Sequence, residues 1–185
     1  MNPLDFNDGI NTFYLISQVF ALASFVFDLI AMQRKKKSTL LNMDTMAATC
    51  SFLHYAFLGA WAGMVSKFIT AIRNGIAAYS SSKKAKTPRI LPIIFIMIYI
   101  VIGFFTFDSI FSVLPILAPC IYTIAIYTCD VTRIRYAGVL TGIIWLIYDF
   151  CVFSIIGIVA QTILIINGLI AIYRFRKKKK KSKKK

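Results

Sequence analysis

The sequence predicts an all-α membrane protein of seven transmembrane helices. They are arranged as two parallel three-helix repeats joined by a linker helix (3+1+3), with the N-terminus outside and the C-terminus inside. Three observations predict this. The chain of 185 residues is 58% apolar, with a mean hydropathy of +0.73. Its Lys and Arg residues gather at alternate boundaries between apolar stretches. The order of its polar residues and glycines in the first half recurs in the second. A spanning helix needs about 20 apolar residues, so seven of them use roughly 140 and leave no room for a soluble domain.

Taken in order, residues 1–9 form a short extracytoplasmic N-terminus that carries Asp5 and Asp8 but no Lys or Arg. A secretory signal needs a basic start and a small-residue cleavage site, so the first helix is expected to stay attached. Helix 1 spans residues 10–32 and closes on Arg34, Lys35, Lys36 and Lys37. Helix 2 (40–59) returns outward, and a tight turn before Gly63 leads into helix 3 (61–80), which closes on Lys83, Lys84, Lys86 and Arg89. Helix 4 (90–107) has no charge and is the linker. Helix 5 (110–129) follows Asp108 and closes on Arg133 and Arg135. Helix 6 (136–153) and helix 7 (155–173) are divided by Ser154 alone, the weakest boundary signal in the chain. Arg174, Arg176 and the Lys-rich run to Lys185 follow, read as a disordered cytoplasmic anchor. The units are therefore a first bundle (10–80), a basic cytoplasmic loop plus linker helix (81–109), a second bundle (110–173) and a tail (174–185).

Lys and Arg are costly to move across a bilayer and stay on its cytoplasmic side. That sets the orientation and explains the net charge of +15. Of 22 Lys and Arg, all but Lys67 and Arg73 lie in the four clusters just named. The partner implied is a bilayer with anionic headgroups, and no nucleic acid. Cys50, Cys120, Cys129 and Cys151 fall in or at the ends of apolar spans without metal or disulfide spacing, so neither metal nor cofactor is expected.

The repeat is carried by matched features. Helix 2 has His54-Tyr55 near its outer end, and helix 6 has Tyr148-Asp149. Gly63 and Gly157 are 94 positions apart, as are Tyr79 and Tyr173. Asn74-Gly75 and Asn167-Gly168 are 93 apart, one register slip from that offset. Three helices joined directly to their copy would invert it, and the uncharged fourth helix restores the direction. Some transporters use parallel repeats about an axis along the membrane normal.

Ionisable side chains inside spans cost several kcal/mol unless paired or hydrated. Depth, at about 1.5 Å per residue, sorts them. Asp28 and Asp44 lie about 6 Å inside the cytoplasmic boundary, with Arg73 about 10 Å deep. They are read as an inner ion-pair cluster or charged gate. His54, Lys67 and Asp149 lie about 6–9 Å from the outer boundary. A Lys67–Asp149 pair would bridge the two bundles as a lock or gate. His54 could relay protons, or serve as a hydrogen-bonded packing residue. Asp130, beside the basic loop, reads as interfacial. Asn74 and Asn167 sit nearer the middle, where an amide needs a helix partner or a solute. Trp61, Trp145, Tyr14 and Tyr148 read as interface anchors or packing rather than as a ligand cage.

Helices 3, 5, 6 and 7 resemble the YgjV-type bacterial inner-membrane proteins, most strongly from Leu114 onward. The carrying residues are Thr70-Ala71-Ile72-Arg73-Asn74, Leu114-Pro115-Ile116, Trp145-Leu146-Ile147-Tyr148, Ser154-Ile155-Ile156-Gly157 and Asn167-Gly168-Leu169-Ile170-Ala171-Ile172-Tyr173-Arg174-Phe175. That resemblance implies a multi-pass inner-membrane location and names no substrate. At a further remove the plan is similar to the SWEET and PQ-loop transporters, two triple-helix bundles about a linker. This implies a substrate pocket at Asn74 and Asn167. The chain has no Pro-Gln dipeptide, and within its triplets only helix 5 has prolines, Pro115 and Pro119.

The function expected is transport of a small polar solute by alternating access between the bundles. Asn74 and Asn167 would bind the solute, and Lys67–Asp149 and Arg73–Asp28/Asp44 would gate. The rival is a non-transporting scaffold or accessory subunit; a homo-oligomer fits either. An enzyme is not expected, because one His, no HExxH-type spacing and no evident Ser–His arrangement leave no nucleophile with its base. A retinal photoreceptor is disfavoured, since helix 7 lacks a central Lys.

Overall fold

The computed structural model of the chain describes residues 12–83, 88, 90–107 and 109–182, with side chains described to Tyr173. Among these residues the chain forms seven α-helices: α1 (Thr12–Gln33), α2 (Lys37–Leu58), α3 (Trp61–Ser82), α4 (Leu91–Phe105), α5 (Leu114–Thr128), α6 (Val131–Cys151) and α7 (Ile155–Ser182). A 3-10 turn, Ile110–Val113, precedes α5. Asp5, Asp8, Lys84, Lys86, Arg89, Asp108 and Lys183 to Lys185 lie outside the described residues.

The fold is all-helical, and its polarity is inverted relative to a water-soluble bundle. Large apolar side chains such as Val19, Leu22, Ile93, Met97, Phe104, Val159 and Ile166 point outward. Ser17, Ser24, Ser51, His54, Arg73, Asn74, Thr123 and Asp149 are buried. Water outside would favour the opposite arrangement. A bilayer favours this one, provided the helices keep their backbone hydrogen bonds internal. Four helical segments are long and apolar enough to cross a membrane: Thr12–Gln33, Ile110–Thr128, Val131–Cys151 and Ile155–Tyr173. α4 is apolar but only 15 residues long. α2 and α3 fall short of that apolarity because they carry Asn42, Asp44, His54, Lys67, Arg73 and Asn74.

α1 packs on α2 and α2 on α3; α5 packs on α6 and α6 on α7. The two groups meet where α1 touches α7 and α3 touches α5, while α4 lies against α3 and α5. α4 anchors itself through Phe95 and Tyr99, packed on Ile69 of α3.

Two boundaries differ from the sequence expectation. α6 begins at Val131, so Arg133 and Arg135 are helical rather than in a loop. α7 runs on through the basic tail to Ser182, which corrects the expectation of a disordered anchor. Lys and Arg are good helix formers, and cations are favourable at a helix C-terminus. Basic side chains also serve as cross-caps. Lys37, at the start of α2, donates to the Ile126 carbonyl in the last turn of α5. Arg135, in the first turns of α6, donates to the Arg34 carbonyl just past α1 (3.1 Å). Each satisfies a carbonyl that a helix end leaves without an internal partner.

The α2–α3 and α6–α7 turns both use left-handed backbone. Gly59 closes α2 at φ 74°. Phe153 takes φ 53° between α6 and α7, and Ser154 then caps α7 by accepting from Gly157 N (3.2 Å). Left-handed backbone costs a residue with a Cβ about 1–2 kcal/mol. Phe153 is 54% exposed, so little packing would be lost on truncation. Phe153→Gly is expected to raise stability by about 0.5–1 kcal/mol after the flexibility cost of glycine. A thermal or denaturant midpoint at or below that of the parent protein would contradict this.

Candidate functional site

A cavity of about 130 Å³ lies between the two groups of helices, and every α-helix except α4 contributes to its wall. Helical spacing puts the contributors on single faces. α2 presents Leu40, Asp44, Ala47, Ala48 and Ser51; α3 presents Lys67, Thr70, Arg73 and Asn74; α7 presents Gln161, Leu164, Ile165, Gly168 and Ala171. α1 adds Asp28, α5 adds Pro119 and Tyr122, and α6 adds Gly138, Thr141, Gly142 and Trp145. Apolar clusters bound the two ends. Leu40, Leu41, Ala77, Ala78, Ile126 and Ile134 pack at the end where the basic residues stand. Tyr55, Ala118, Trp145 and Tyr148 pack at the other. A smaller cavity of about 30 Å³ shares Asp28, Ser51, Lys67, Gln161 and Leu164 with the first and extends to His54, Tyr55 and Asp149.

The wall is paired along the chain. Asp28/Tyr122, Leu40/Ile134, Asp44/Gly138, Ala47/Thr141, Ala48/Gly142, Ser51/Trp145, Lys67/Gln161, Thr70/Leu164 and Asn74/Gly168 are each 94 positions apart, and all line the larger cavity. Tyr55 and Asp149 are 94 apart too, and they touch: the Tyr55 hydroxyl donates to Asp149 Oδ1 at 2.7 Å.

Arg73 is fully buried and committed to structure. Its Nε and Nη2 donate to Asn74 Oδ1 (3.1 and 2.9 Å), and its Nη1 donates to the Pro119 carbonyl (2.9 Å) and to Thr123 Oγ1 (2.7 Å). Pro119 stands inside α5. A proline there has no N–H for the carbonyl four residues back, which is that of Pro115. Ser66 of α3 donates to that carbonyl instead. Two side chains of one α3 face thus serve the proline-interrupted backbone of α5. This is why Arg73 does not pair with Asp28 or Asp44, although all three share the cavity. Asp44 instead accepts from the Tyr122 hydroxyl at 2.7 Å.

The expected Lys67–Asp149 ion pair does not form within 4.0 Å. Asp149, 1% exposed, is taken by Tyr55, while Lys67 Nζ lies 3.8 Å from the centre of the Trp145 ring on α6. Lys67 therefore does bridge to the second group, through an aromatic face. Close approach of Asp149 to α7 depends on Gly157, where a Cβ would lie 2.8 Å from the Asp149 carboxyl and 2.4 Å from Ser154 Oγ. His54 ties α2 to α1 and to the α6–α7 turn: Nδ1 donates to the Ser17 carbonyl (2.8 Å), which leaves Nε2 to accept from the Ser154 hydroxyl (3.0 Å). Asn74 is in the cavity wall; Asn167 is half-buried on α7 and does not line it. Asp130 is exposed and pairs with Arg133 at 3.8 Å. Trp61 is exposed and Trp145 and Tyr148 are buried, whereas the half-buried Tyr14 donates to the Phe153 carbonyl at 3.3 Å. The four cysteines are free and half-buried.

Tyr122, Gln161, Thr70, Thr141 and Trp145 are wall residues that a search for ionisable groups passes over. The 94-residue offset held the signal, since Gln161 stands 94 positions after Lys67 and Tyr122 stands 94 after Asp28.

No curated protein and no solved structure matches the chain. A family described as Imp-YgjV, bacterial inner membrane protein, matches residues 15–179, a span that reaches all seven helices. A buried polar interior, an apolar exterior and that match together make the chain a member of this bacterial inner-membrane protein family.

Proposed function

We propose that the chain crosses the membrane seven times as two parallel repeats, α1–α3 and α5–α7, joined by α4, N-terminus outside and C-terminus inside. We propose further that it transports a small polar solute by alternating access between them. The observation that carries this reading is the cavity between the repeats, walled by nine residue pairs at one chain offset. Two further features support it. Gly59 and Phe153, 94 apart, are the two left-handed turn residues among the described residues. The cross-caps are reciprocal, with α2 serving α5 and α6 serving α1. Residues that contact their own counterparts, as Tyr55 and Asp149 do, belong near a two-fold axis. The basic ends would face anionic headgroups. Solute binding falls to the cavity wall around Asn74, Lys67 and Asp28, with Asn167 behind it on α7. The apolar clusters at the two ends would act as alternating gates, and the carboxylate of Asp149 and the His54 bridge belong to the outer one. No covalent chemistry is required.

A scaffold or accessory role draws on one observation: the Asn74 Oδ1 acceptor is already filled by two N–H groups of Arg73. Reconstitution separates the two. The purified chain in sealed proteoliposomes is expected to exchange members of a panel of labelled small polar solutes, saturably and above empty vesicles. Exchange of none of them by correctly folded protein would favour the scaffold. Unchanged exchange after Asn74→Leu with Asn167→Leu would remove the amides from the solute site.

A further inference from the structure

Seven ionisable side chains other than tyrosines surround the two cavities, and five of them are already engaged. Arg135 donates to the Arg34 carbonyl, and His54 is held by Ser17 and Ser154. Arg73 spends its N–H groups on Asn74, Pro119 and Thr123. Asp44 is held by Tyr122, and Asp149 by Tyr55. The remaining two are Lys67 and Asp28. The Lys67 ammonium rests on the face of Trp145 and meets no hydrogen-bond acceptor among the described residues. The Asp28 carboxylate meets no donor among them, and the two groups lie more than 4.0 Å apart. Both line the larger cavity and the smaller one, so they stand at the junction of the two spaces.

We infer that the solute of this site is a small zwitterion of the amino-acid class, its carboxylate bound by Lys67 and its ammonium by Asp28. The inference rests on the proposed reading of the cavity as a solute site. Both side chains are half-buried, and a charge held there without hydrogen bonds carries a desolvation cost that a ligand can offset. A monovalent anion would satisfy Lys67, be repelled by Asp28 and leave that carboxylate unpaired. A monovalent cation would do the reverse, and a neutral polyol would pair neither group ionically. A zwitterion meets both at once and adds no net charge to a low-dielectric space. The cavity, about 130 Å³, leaves room for a small amino acid. Trp145, Ala47 and Ala48 give its side chain an apolar wall.

The chain has two tryptophans, and Trp61 is 70% exposed, so in a Trp61→Phe background the fluorescence of Trp145 reports occupancy beside Lys67. The full chain in lipid nanodiscs is titrated with L-alanine, propionate, n-propylamine and 1,2-propanediol. L-Alanine is expected to give a saturable change, with the other three weaker by about tenfold or more. Lys67→Met is expected to abolish that preference and turn it toward propylamine. Asp28→Asn is expected to turn it toward propionate. Opposite shifts of this kind do not arise from a merely structural role. The four-ligand ranking on the Trp61→Phe protein decides the matter even if a variant fails to fold. Equal or tighter binding of propionate, propylamine or the diol overturns the inference, as does no response to any ligand. Binding is read without transport. Alanine that binds but does not cross proteoliposomes therefore sinks the transport reading alone. Movement of a neutral or singly charged solute in its place sinks the zwitterion alone.

Discussion

Arg73→Met is expected to lower the stability of the chain by about 2–4 kcal/mol, from four lost hydrogen bonds at roughly 0.6–1 kcal/mol each. Methionine nearly matches the length of the side chain, so packing changes little and the loss isolates the polar contacts. Removing a buried cation also removes its desolvation cost, which keeps the figure at the low end of what a buried charge can contribute. Two acceptors decide the balance. Asn74 Oδ1 receives both of its bonds from Arg73, and the Pro119 carbonyl keeps only the Thr123 hydroxyl at 2.6 Å. Arg73→Lys is not expected to rescue, because one ammonium cannot reproduce a planar fork aimed at three residues. Ser66→Ala, which orphans the Pro115 carbonyl, should cost about 1 kcal/mol. Unfolding in mixed micelles, followed by the fluorescence of Trp145, measures all three. A parent-like midpoint for Arg73→Met would mean that α3 is not what steadies the proline-interrupted helix.

How much of this was legible beforehand differs from feature to feature. The seven helices follow from runs of apolar residues, and their observed ends lie near the expected ones except at α6 and α7. There, basic residues taken as stop signals are good helix formers, and the backbone runs through them. The ionisable residues of the interior were legible as a set, but their partners were not. Lys67, Arg73, Asp28, Asp44 and Asp149 could be combined into ion pairs by depth alone. The actual pairings depend on hydroxyls and carbonyls that arrive from other helices. Tyr55 reaches Asp149 and Tyr122 reaches Asp44, while the broken backbone at Pro119 draws Arg73 away from Asp28 and Asp44. Asn167 is the clearest lesson in register. Matching it to Asn74 uses an offset of 93, whereas the pairs of the cavity wall keep 94, and the residue 94 after Asn74 is Gly168. One residue is about 100° around a helix, enough to carry the amide off the wall.

Gly138→Leu is expected to reduce solute exchange by about a hundredfold while leaving the fold intact. Gly138 lines the cavity from α6, and a Cβ built there meets nothing closer than Tyr122 at 3.9 Å. The new side chain therefore enters open space rather than a packed contact. A leucine also favours the helix over glycine by about 0.5–1 kcal/mol, so a fall in stability is not the expected cause of any loss. Gly75→Ala is the control: it is likewise helical, its Cβ would meet only Thr45 at 3.9 Å, and it does not line the cavity. It should exchange solute like the parent. The transporter and the scaffold make opposite forecasts for this pair. A scaffold with an unused internal space gains from filling it, since cavities weaken a packed interior, and whatever partner it serves is bound on an outer face that Gly138 does not reach. A transporter loses its solute site and the room in which its wall must rearrange. Parent-like exchange by a folded Gly138→Leu protein would place the solute path somewhere other than between the two groups of helices, and with it would go the role assigned to Lys67 and Asp28.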